Sequence, residues 1–139
     1  MTGFLLDTNV VSELRKRERA DANVLRWFEK HSGAEFWLSV LVVGELRRGV
    51  ELLARRDKKS ASKLRTWLDS TVNDYGDRIL PVNMTICERW GLLSVRDPVP
   101  VIDGLLAATA IEHDLTLVTR NSADVDRTGG SVVNPFVEG

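Results

Sequence analysis

The sequence predicts an α/β sandwich with a central, mostly parallel β-sheet. Short apolar runs alternate along the chain with longer segments in which apolar residues recur at helical spacing. Continuous apolar runs of this kind are typical of parallel strands that are covered on both faces. The chain has 139 residues and no internal repeat, low-complexity tract or linker, so we expect a single domain over 1–139.

Five short segments are predicted to be strands. The first is an apolar run, 4–6, which Asp7 stops. Pro81 has no backbone N–H to donate, so the third strand is expected at a sheet edge or to end there. Residues 121–130 are predicted to be a loop. The predicted strands are 4–6, 36–40, 79–82, 115–119 and 131–133.

Six segments are predicted to be helices, because each carries a stripe of apolar residues three or four positions apart. Thr8 or Asn9 is expected to cap the first helix, and Ser60 or Ser62 the fourth. Pro100 can start the sixth helix, since its fixed φ suits the first helical turn. The predicted helices are 8–17, 21–31, 42–56, 60–73, 84–95 and 100–113.

The composition excludes several classes of protein. With 43% hydrophobic and 28% charged residues, the chain is not expected to be disordered. Its single cysteine, Cys87, allows neither an internal disulfide nor a multi-cysteine zinc site. The longest apolar stretches, such as 36–43, are too short to span a bilayer, and the N-terminus lacks the features of a signal peptide. We therefore expect a cytoplasmic protein that does not use a membrane.

Four acidic residues are predicted to meet at one edge of the sheet, since ligands of parallel α/β sheets bind at the carboxyl ends of the strands. Asp7 ends the first strand, and Glu45 lies on the helix after the second. Asp103 lies in the first turn of the helix after Pro100, and Asp124 lies just beyond the fourth strand. Asp7 is the most informative, because a carboxylate directly after a buried strand needs a partner or a metal.

Such a cluster predicts a metal site. Three or four neighbouring carboxylates cannot all stay ionised without a cation. Oxygen ligands without sulfur or clustered histidine suit Mg²⁺, with Mn²⁺ as a substitute, and such a site can activate water to attack a phosphodiester. Small polar residues near the same strand ends could orient the ligands or the water. They are Thr8, Asn9, Ser39, Thr119 and Asn121.

Each acid also has an ordinary structural alternative. Asp7 could only cap the first helix, and Asp103 could only stabilise a helix N-terminus electrostatically. Glu45 could be a solvent-facing partner of Arg48, three residues further along its helix.

The fourth acid has two candidates in the loop after Thr119, and either could be a simple turn residue. Asp126 could in principle reach the same metal as Asp124. Arg127 offers Asp126 a local charge partner, which favours Asp124 for the metal site.

The charge of the chain is uneven. The net charge is −1, yet residues 47–65 carry eight basic and two acidic side chains. This segment is either a solvated helical face or a local phosphate-binding surface. The candidates for backbone binding are Arg47, Arg48, Arg55, Arg56, Lys58 and Lys59.

Other phosphate-handling proteins need residues that this sequence lacks. There is no GxGxxG motif and no Walker phosphate loop. A phosphoacceptor receiver domain needs a second acid at the first strand and a late lysine, but no lysine follows Lys63. A DxD-type phosphatase needs an acid at position 9, which is Asn9.

Four segments of the sequence resemble the PIN-domain ribonucleases, and most closely the VapC/FitB-type toxins of bacterial toxin–antitoxin pairs. The resemblance extends over nearly the whole chain, and its short motifs are specific in combination. The segments are LLDTNVVSEL (5–14), SVLVVGELRRGVE (39–51), VIDGLLAATAIEHDLTLVTRN (101–121) and VVNPF (132–136).

The resemblance implies a PIN-like fold and a Mg²⁺-dependent endoribonuclease that forms a homodimer. It also implies inhibition by a small antitoxin whose C-terminal segment covers the active site. The metal-binding acids of the family fall on Asp7, Glu45, Asp103 and Asp124, and its small polar residues fall on Thr8 and Asn9. An aromatic often follows the fourth acid in the family, whereas Val125 follows it here. The alternative function is a PIN-like module that binds RNA or a protein without cutting.

Overall fold

The computed structural model describes residues 3–96, 98–126 and 128–137, apart from the side chain of Asp124. Five short strands form one sheet, and every pair of neighbouring strands is parallel. The strands are β1 (Gly3–Leu6), β2 (Glu35–Ser39), β3 (Ile79–Leu80), β4 (Thr116–Val118) and β5 (Val132–Val133). Their order across the sheet is β3-β2-β1-β4-β5. The predicted α/β sandwich with a central parallel sheet is confirmed.

Helices flank this sheet and connect the strands. Two 3₁₀ turns, Arg17–Arg19 and Gly76–Arg78, lie between them. The helices are α1 (Thr8–Leu14), α2 (Ala22–Lys30), α3 (Val40–Ala54), α4 (Lys58–Tyr75), α5 (Met84–Arg96), α6 (Val101–Glu112) and α7 (Ser122–Asp126). None of these helices has both the length and the apolar character needed to cross a membrane.

The centre of the core is β1, in which all four residues are buried. Leu5 pairs with Trp37 on one side and with Leu117 on the other, so the first strand of the chain becomes the middle strand of the sheet. Burial on both faces explains why β1 is a continuous apolar run. Asp7, the first residue after it, therefore lies directly above the core.

The strand predictions are correct to within one or two residues. β3 lies at one edge of the sheet, as Pro81 suggested, and it ends at Leu80 just before that proline. The predicted loop over 121–130 is wrong in part, because α7 occupies five of its positions. A helix this short is below the length at which an apolar stripe can be recognised in a sequence.

Two predicted helix caps are wrong. Asp7 caps α1, not Thr8 or Asn9, and its carboxylate accepts a hydrogen bond from the backbone N–H of Thr8. Asp57 caps α4 by accepting from the backbone N–H of Ser60, so α4 begins before the predicted serine caps. In both places an aspartate one to five residues upstream of the predicted caps takes the cap position.

Two other helix ends differ from the prediction. α1 ends at Leu14 rather than near 17, because Arg17 adopts a positive φ of 56° that a right-handed helix does not allow. Pro100 occupies the N-cap of α6 and not its first turn.

Candidate active site

The polar edge of the sheet lies where the parallel strands end. Asp7 directly follows β1, and Thr119 directly follows β4, the neighbouring strand. The backbone N–H of Asp7 donates to the carbonyl of Val118 at 2.9 Å, which extends the pairing of the two strands by one step. This hydrogen bond fixes the position of Asp7 along the strand direction relative to Thr119. Both residues are buried.

The Asp7 carboxylate is held by three donors. Its Oδ1 accepts from the backbone N–H of Thr8 at 2.7 Å. Its Oδ2 accepts from the hydroxyl of Thr119 at 2.6 Å and from the Asn9 amide at 3.4 Å. Hydrogen bonds to a charged acceptor are stronger than neutral ones, so they offset the cost of removing this carboxylate from water. Asp7 is thus both the cap of α1 and a fixed acid at the end of β1.

Glu45 joins this site through Thr8, whose hydroxyl donates to the Glu45 Oε1. Glu45 lies in the second turn of α3, and Ser39, at the end of β2, caps that helix by accepting from the backbone N–H of Leu41 at 3.0 Å. The interpretation of Glu45 as a solvent-facing partner of Arg48 is wrong, since Glu45 is half-buried and none of the ion pairs between described residues includes it.

The predicted supporting polar residues play different parts. The Thr119 hydroxyl accepts from the backbone N–H of Asn121 at 3.0 Å while it donates to Asp7. Asn9 accepts from the backbone N–H of Arg120 at 3.1 Å through its Oδ1. Thr8, Asn9 and Thr119 therefore contact the acids through their side chains. Ser39 acts as a helix cap, and Asn121 contributes a backbone N–H.

The third predicted acid, Asp103, lies in the first turn of α6 and is half-buried. The next residue, Gly104, is packed so closely that an added Cβ would lie 2.9 Å from the ring of Trp90 and 3.2 Å from Val99. The contact between Trp90 and Gly104 therefore limits how closely α5 and α6 approach each other. It also influences the position of Asp103, the residue before Gly104. The sequence places Trp90 in an apolar stripe, which predicts that it packs in the core. The sequence does not reveal that Trp90 packs against the residue next to Asp103.

The fourth predicted acid, Asp124, lies on α7, but its side chain is outside the described part of the structure. Among the side chains that are described, no group of three acids, histidines or cysteines is close enough together to hold a metal ion. Asp7 and Glu45 are linked through one intervening residue, Thr8, whose backbone N–H donates to Asp7 and whose hydroxyl donates to Glu45.

The basic segment 47–65 forms a helical hairpin from the second half of α3 and the first half of α4. Arg47 pairs with Asp69 at 2.8 Å and Arg65 pairs with Glu51 at 3.2 Å, which shows that the two helices run antiparallel. Arg48, three residues beyond Glu45 on α3, and Lys63 on α4 are both exposed. The remaining four basic residues lie near the tip of the hairpin, about ten residues beyond Glu45, or roughly 15 Å along the helix axis. They are Arg55, Arg56, Lys58 and Lys59, and all four are exposed.

One basic residue at the polar edge was not predicted. Arg120, directly after Thr119, places its guanidinium carbon 3.8 Å from the centre of the Phe136 ring. Both residues lie in segments singled out for their motifs, VTRN and VVNPF, but sixteen positions separate them. No local spacing rule connects such a pair.

The sequence comparisons agree with the fold. The PIN domain family matches residues 4–130. Plasmid stability protein StbB of Pseudomonas syringae pv. tomato is 30% identical, with 96% of this chain and 98% of that protein covered. Toxin FitB of Neisseria gonorrhoeae is 31% identical with the same coverage.

The comparison with solved structures gives the same result. The crystal structure of FitAcB from Neisseria gonorrhoeae has a TM-score of 0.84 at 31% identity, covering 96% of this chain and 98% of that one. VapBC2 of Rickettsia felis, solved with a promoter DNA fragment, has a TM-score of 0.73 at 21% identity, covering 94% of this chain and 97% of that one. The chain belongs to the PIN-domain family.

Proposed function

We propose that this protein is the toxin of a toxin–antitoxin pair and that it acts in the cytoplasm as a Mg²⁺-dependent endoribonuclease. Family membership supports this proposal, as do the names of its relatives, which include Toxin FitB and the VapC ribonuclease Y4jK of Sinorhizobium fredii, 29% identical with 96% of this chain covered. The structure of FitAB bound to a DNA fragment, with a TM-score of 0.85 at 27% identity, supports an antitoxin partner.

The observation that carries the proposal is the fixed carboxylate of Asp7 at the end of the central strand. Asp7 is only 5% exposed, yet its oxygens are oriented by donors from α1 and from the end of β4. A carboxylate that served only as a helix cap would not need the hydrogen bond from Thr119, the residue after β4. The second acid, Glu45, is joined to it through Thr8. An oriented acid pair at the carboxyl ends of parallel strands is the arrangement expected of a site that acts on a ligand.

The donor chemistry of this edge fits Mg²⁺. Asp7, Glu45, Asp103 and Asp124 would hold the ion, and all of them offer hard carboxylate oxygens. When bound, Mg²⁺ would activate a water molecule for in-line attack on the phosphodiester and stabilise the leaving oxygen, with Mn²⁺ as a substitute.

The residues of the chain itself would position these acids. Thr119 and Asn9 hold one oxygen of Asp7, and Thr8 holds an oxygen of Glu45. Outer-shell donors of this kind fix the direction in which a carboxylate presents its free lone pairs. The burial of Asp7 keeps bulk water from replacing these bonds.

The proposed partners follow from the same assignment. RNA is the substrate, and a small antitoxin inhibits the toxin by placing its C-terminal segment over the acids. We also propose that the protein is a homodimer.

A cleavage assay with labelled single-stranded RNA tests the proposed function. The parent protein is expected to cut in Mg²⁺ or Mn²⁺ and not in EDTA. Asp7→Asn, which removes one ligand charge but keeps the size of the side chain, is expected to abolish cleavage while circular dichroism shows an unchanged fold. Full cleavage by Asp7→Asn, or by the parent in EDTA, would refute the metal-nuclease assignment. RNA binding without cleavage in either metal would favour the binding module instead.

A further inference from the structure

We infer that Arg120 is a substrate-binding residue: its guanidinium, stacked on Phe136 at the rim of the acidic edge, contacts a phosphate of the RNA strand beside the bond that is cut. This inference rests on the proposed ribonuclease function and adds to it a residue for which the sequence predicted no role.

The position of Arg120 is set by the site itself. Its backbone N–H donates to Asn9, and Asn9 donates to the carboxylate of Asp7. The preceding residue, Thr119, donates directly to the same carboxylate. Arg120 is therefore one residue away from a direct donor to the central acid, and its exposed side chain lies at the rim.

The stack on Phe136 fixes the guanidinium without using its hydrogen-bond donors. The ring contacts the flat face of the group, while the N–H bonds lie in the plane and point away from its edges. Among the described residues no side-chain or backbone acceptor takes a hydrogen bond from this guanidinium, and no carboxylate lies within ion-pair distance. A planar fork with unused donors matches the oxygens of a phosphate.

Phe136 is itself held in place by hydrogen bonds around its backbone. Its carbonyl accepts from the Asn23 side chain on α2 at 2.9 Å, and its N–H donates to the Asn134 side chain at 2.9 Å. Asn134 also donates to the backbone carbonyl of Arg120 at 3.2 Å. The residues around 134–136 thus form a rigid platform tied to the backbone of the arginine, so little side-chain freedom is given up when a ligand binds.

Glu13, an acid that interacts with Arg120 through space, does not neutralise its charge. Glu13 on α1 accepts from the backbone N–H of Asp21 at 2.8 Å and from the Lys16 ammonium at 3.0 Å. These two donors hold the pKa of Glu13 below its ordinary value, and Arg120 makes only a smaller contribution through space. Glu13 already has its own partners.

Charge explains why a cation is needed here. The acidic edge repels the phosphates that flank the cut bond, so a strand that approaches it needs a positive group at the rim. The basic hairpin tip is about 15 Å along α3 from Glu45, and Arg47 and Arg65 are already ion-paired. Arg48 is exposed three residues beyond Glu45, but among the described residues it makes no hydrogen bond to the site. The backbone of Arg120 is bonded to Asn9, which donates to Asp7, so Arg120 is the basic residue tied to the central acid.

The test measures binding of labelled single-stranded RNA by fluorescence anisotropy at several KCl concentrations. All variants carry Asp7→Asn, so that no RNA is cut during the measurement. Adding Arg120→Gln is expected to weaken binding by about 10-fold, the effect of one charge-assisted hydrogen bond. It should also reduce the slope of log affinity against log salt by about 0.7, since one phosphate is no longer neutralised by the protein.

Three further variants separate charge from structure. Arg120→Lys keeps the charge but not the fork, so it should restore the salt slope and only part of the affinity. Phe136→Leu keeps the arginine but removes its platform, so it should weaken binding less than Arg120→Gln does. Arg89→Gln removes one positive charge from α5, where Arg89 pairs with Glu112 at the C-terminal end of α6, the end opposite Asp103, and it should leave RNA binding unchanged.

Equal RNA affinity and equal salt slope with and without Arg120→Gln would overturn the role of Arg120. So would a loss of affinity that Arg89→Gln reproduces. Because binding is measured on proteins that cannot cut, this result is independent of the cleavage assay. Failure of the parent protein to cleave RNA would refute the proposed function, and it would not change the comparison between the two binding curves.

Discussion

Thr119 is the single residue that most directly couples the fold to the acidic edge. It is fully buried, it follows the strand next to β1, and its hydroxyl both donates to Asp7 and accepts from the backbone of Asn121. A buried carboxylate that loses such a donor keeps the cost of desolvation without the compensating bond.

We predict that Thr119→Val lowers the free energy of unfolding by about 1–3 kcal/mol, because valine fills the same space but leaves Asp7 Oδ2 without the hydroxyl. Thr119→Ser is the control. It keeps the hydroxyl and loses one buried methyl group, which costs about 0.8 kcal/mol. Urea unfolding in metal-free buffer measures both. If serine destabilises as much as valine, packing and not the hydrogen bond accounts for the burial of Thr119.

The two candidates for the fourth acid are distinguished by α7. Consecutive helix positions differ by about 100°, so positions 124 and 126 lie on nearly opposite sides of the α7 axis. Asp126 is exposed. We predict that Asp124→Asn lowers RNA cleavage strongly and that high Mg²⁺ restores part of it, whereas Asp126→Asn is near neutral. Cleavage rates measured across a Mg²⁺ titration test this, and the opposite ranking would refute the assignment.

At the residue scale, the polar network was predicted from the positions that directly follow the parallel strands. A strand that ends in the core fixes where the next side chain lies. Asp7, Thr119, Thr8 and Asn9 all follow from it. Arg120 could not be predicted in this way. Its partner, Phe136, is defined by a turn after the last strand, and that contact depends on tertiary structure.

At the scale of elements, the approach of α5 to α6 positions the third acid. Gly104 leaves room for the rigid ring of Trp90, and Asp103 is the residue before it. A side chain at position 104 would push the two helices apart and move the N-terminal turn of α6 relative to β1.

We predict that Gly104→Ala lowers the free energy of unfolding by about 1–3 kcal/mol through overpacking, and that it reduces cleavage as well. Gly91→Ala is a matched control on α5, because an added Cβ there contacts nothing within 4 Å. That change should stabilise the helix by about 0.5–1 kcal/mol. Thermal unfolding and cleavage rates report both effects. An unchanged Gly104→Ala protein would show that Trp90 does not limit the approach of the helices.

The helices and strands themselves were largely predictable. A buried strand is a short continuous apolar run, whereas a helix with one buried face has apolar residues three or four positions apart. The ends of these elements were less predictable. Asp57 replaced the predicted serine caps of α4 because a cap depends on which of several neighbouring polar residues reaches the free N–H groups.

At the scale of the whole molecule, positive charge is divided between the rim of the acidic edge and the distant tip of the α3–α4 hairpin. The strand order that creates the rim could not be read from the sequence, because the strands are short and similar in composition. The hairpin tip is far enough from Glu45 that only an RNA extending well beyond the cut site reaches it.

We predict that replacing Arg55, Arg56, Lys58 and Lys59 together with glutamine weakens the binding of long RNA and flattens its salt dependence. The slope should fall by about 0.7 for each phosphate that the variant no longer neutralises. A short oligonucleotide that covers only the acidic edge should bind the variant and the parent equally. Titrations of both RNAs at several salt concentrations test this, and an unchanged slope for the long RNA would leave the tip as a solvated helical face.

The pairing of β1 with β4 has a consequence for the order of events during synthesis. Asp7 emerges from the ribosome early, but the hydroxyl that holds it belongs to Thr119, 112 residues later. At about 5–20 residues per second, translation separates the two by on the order of ten seconds. A nascent toxin therefore has no finished acidic edge during that interval. On the proposed function, an antitoxin translated at the same time can be folded and waiting before the first toxin molecule becomes able to cut.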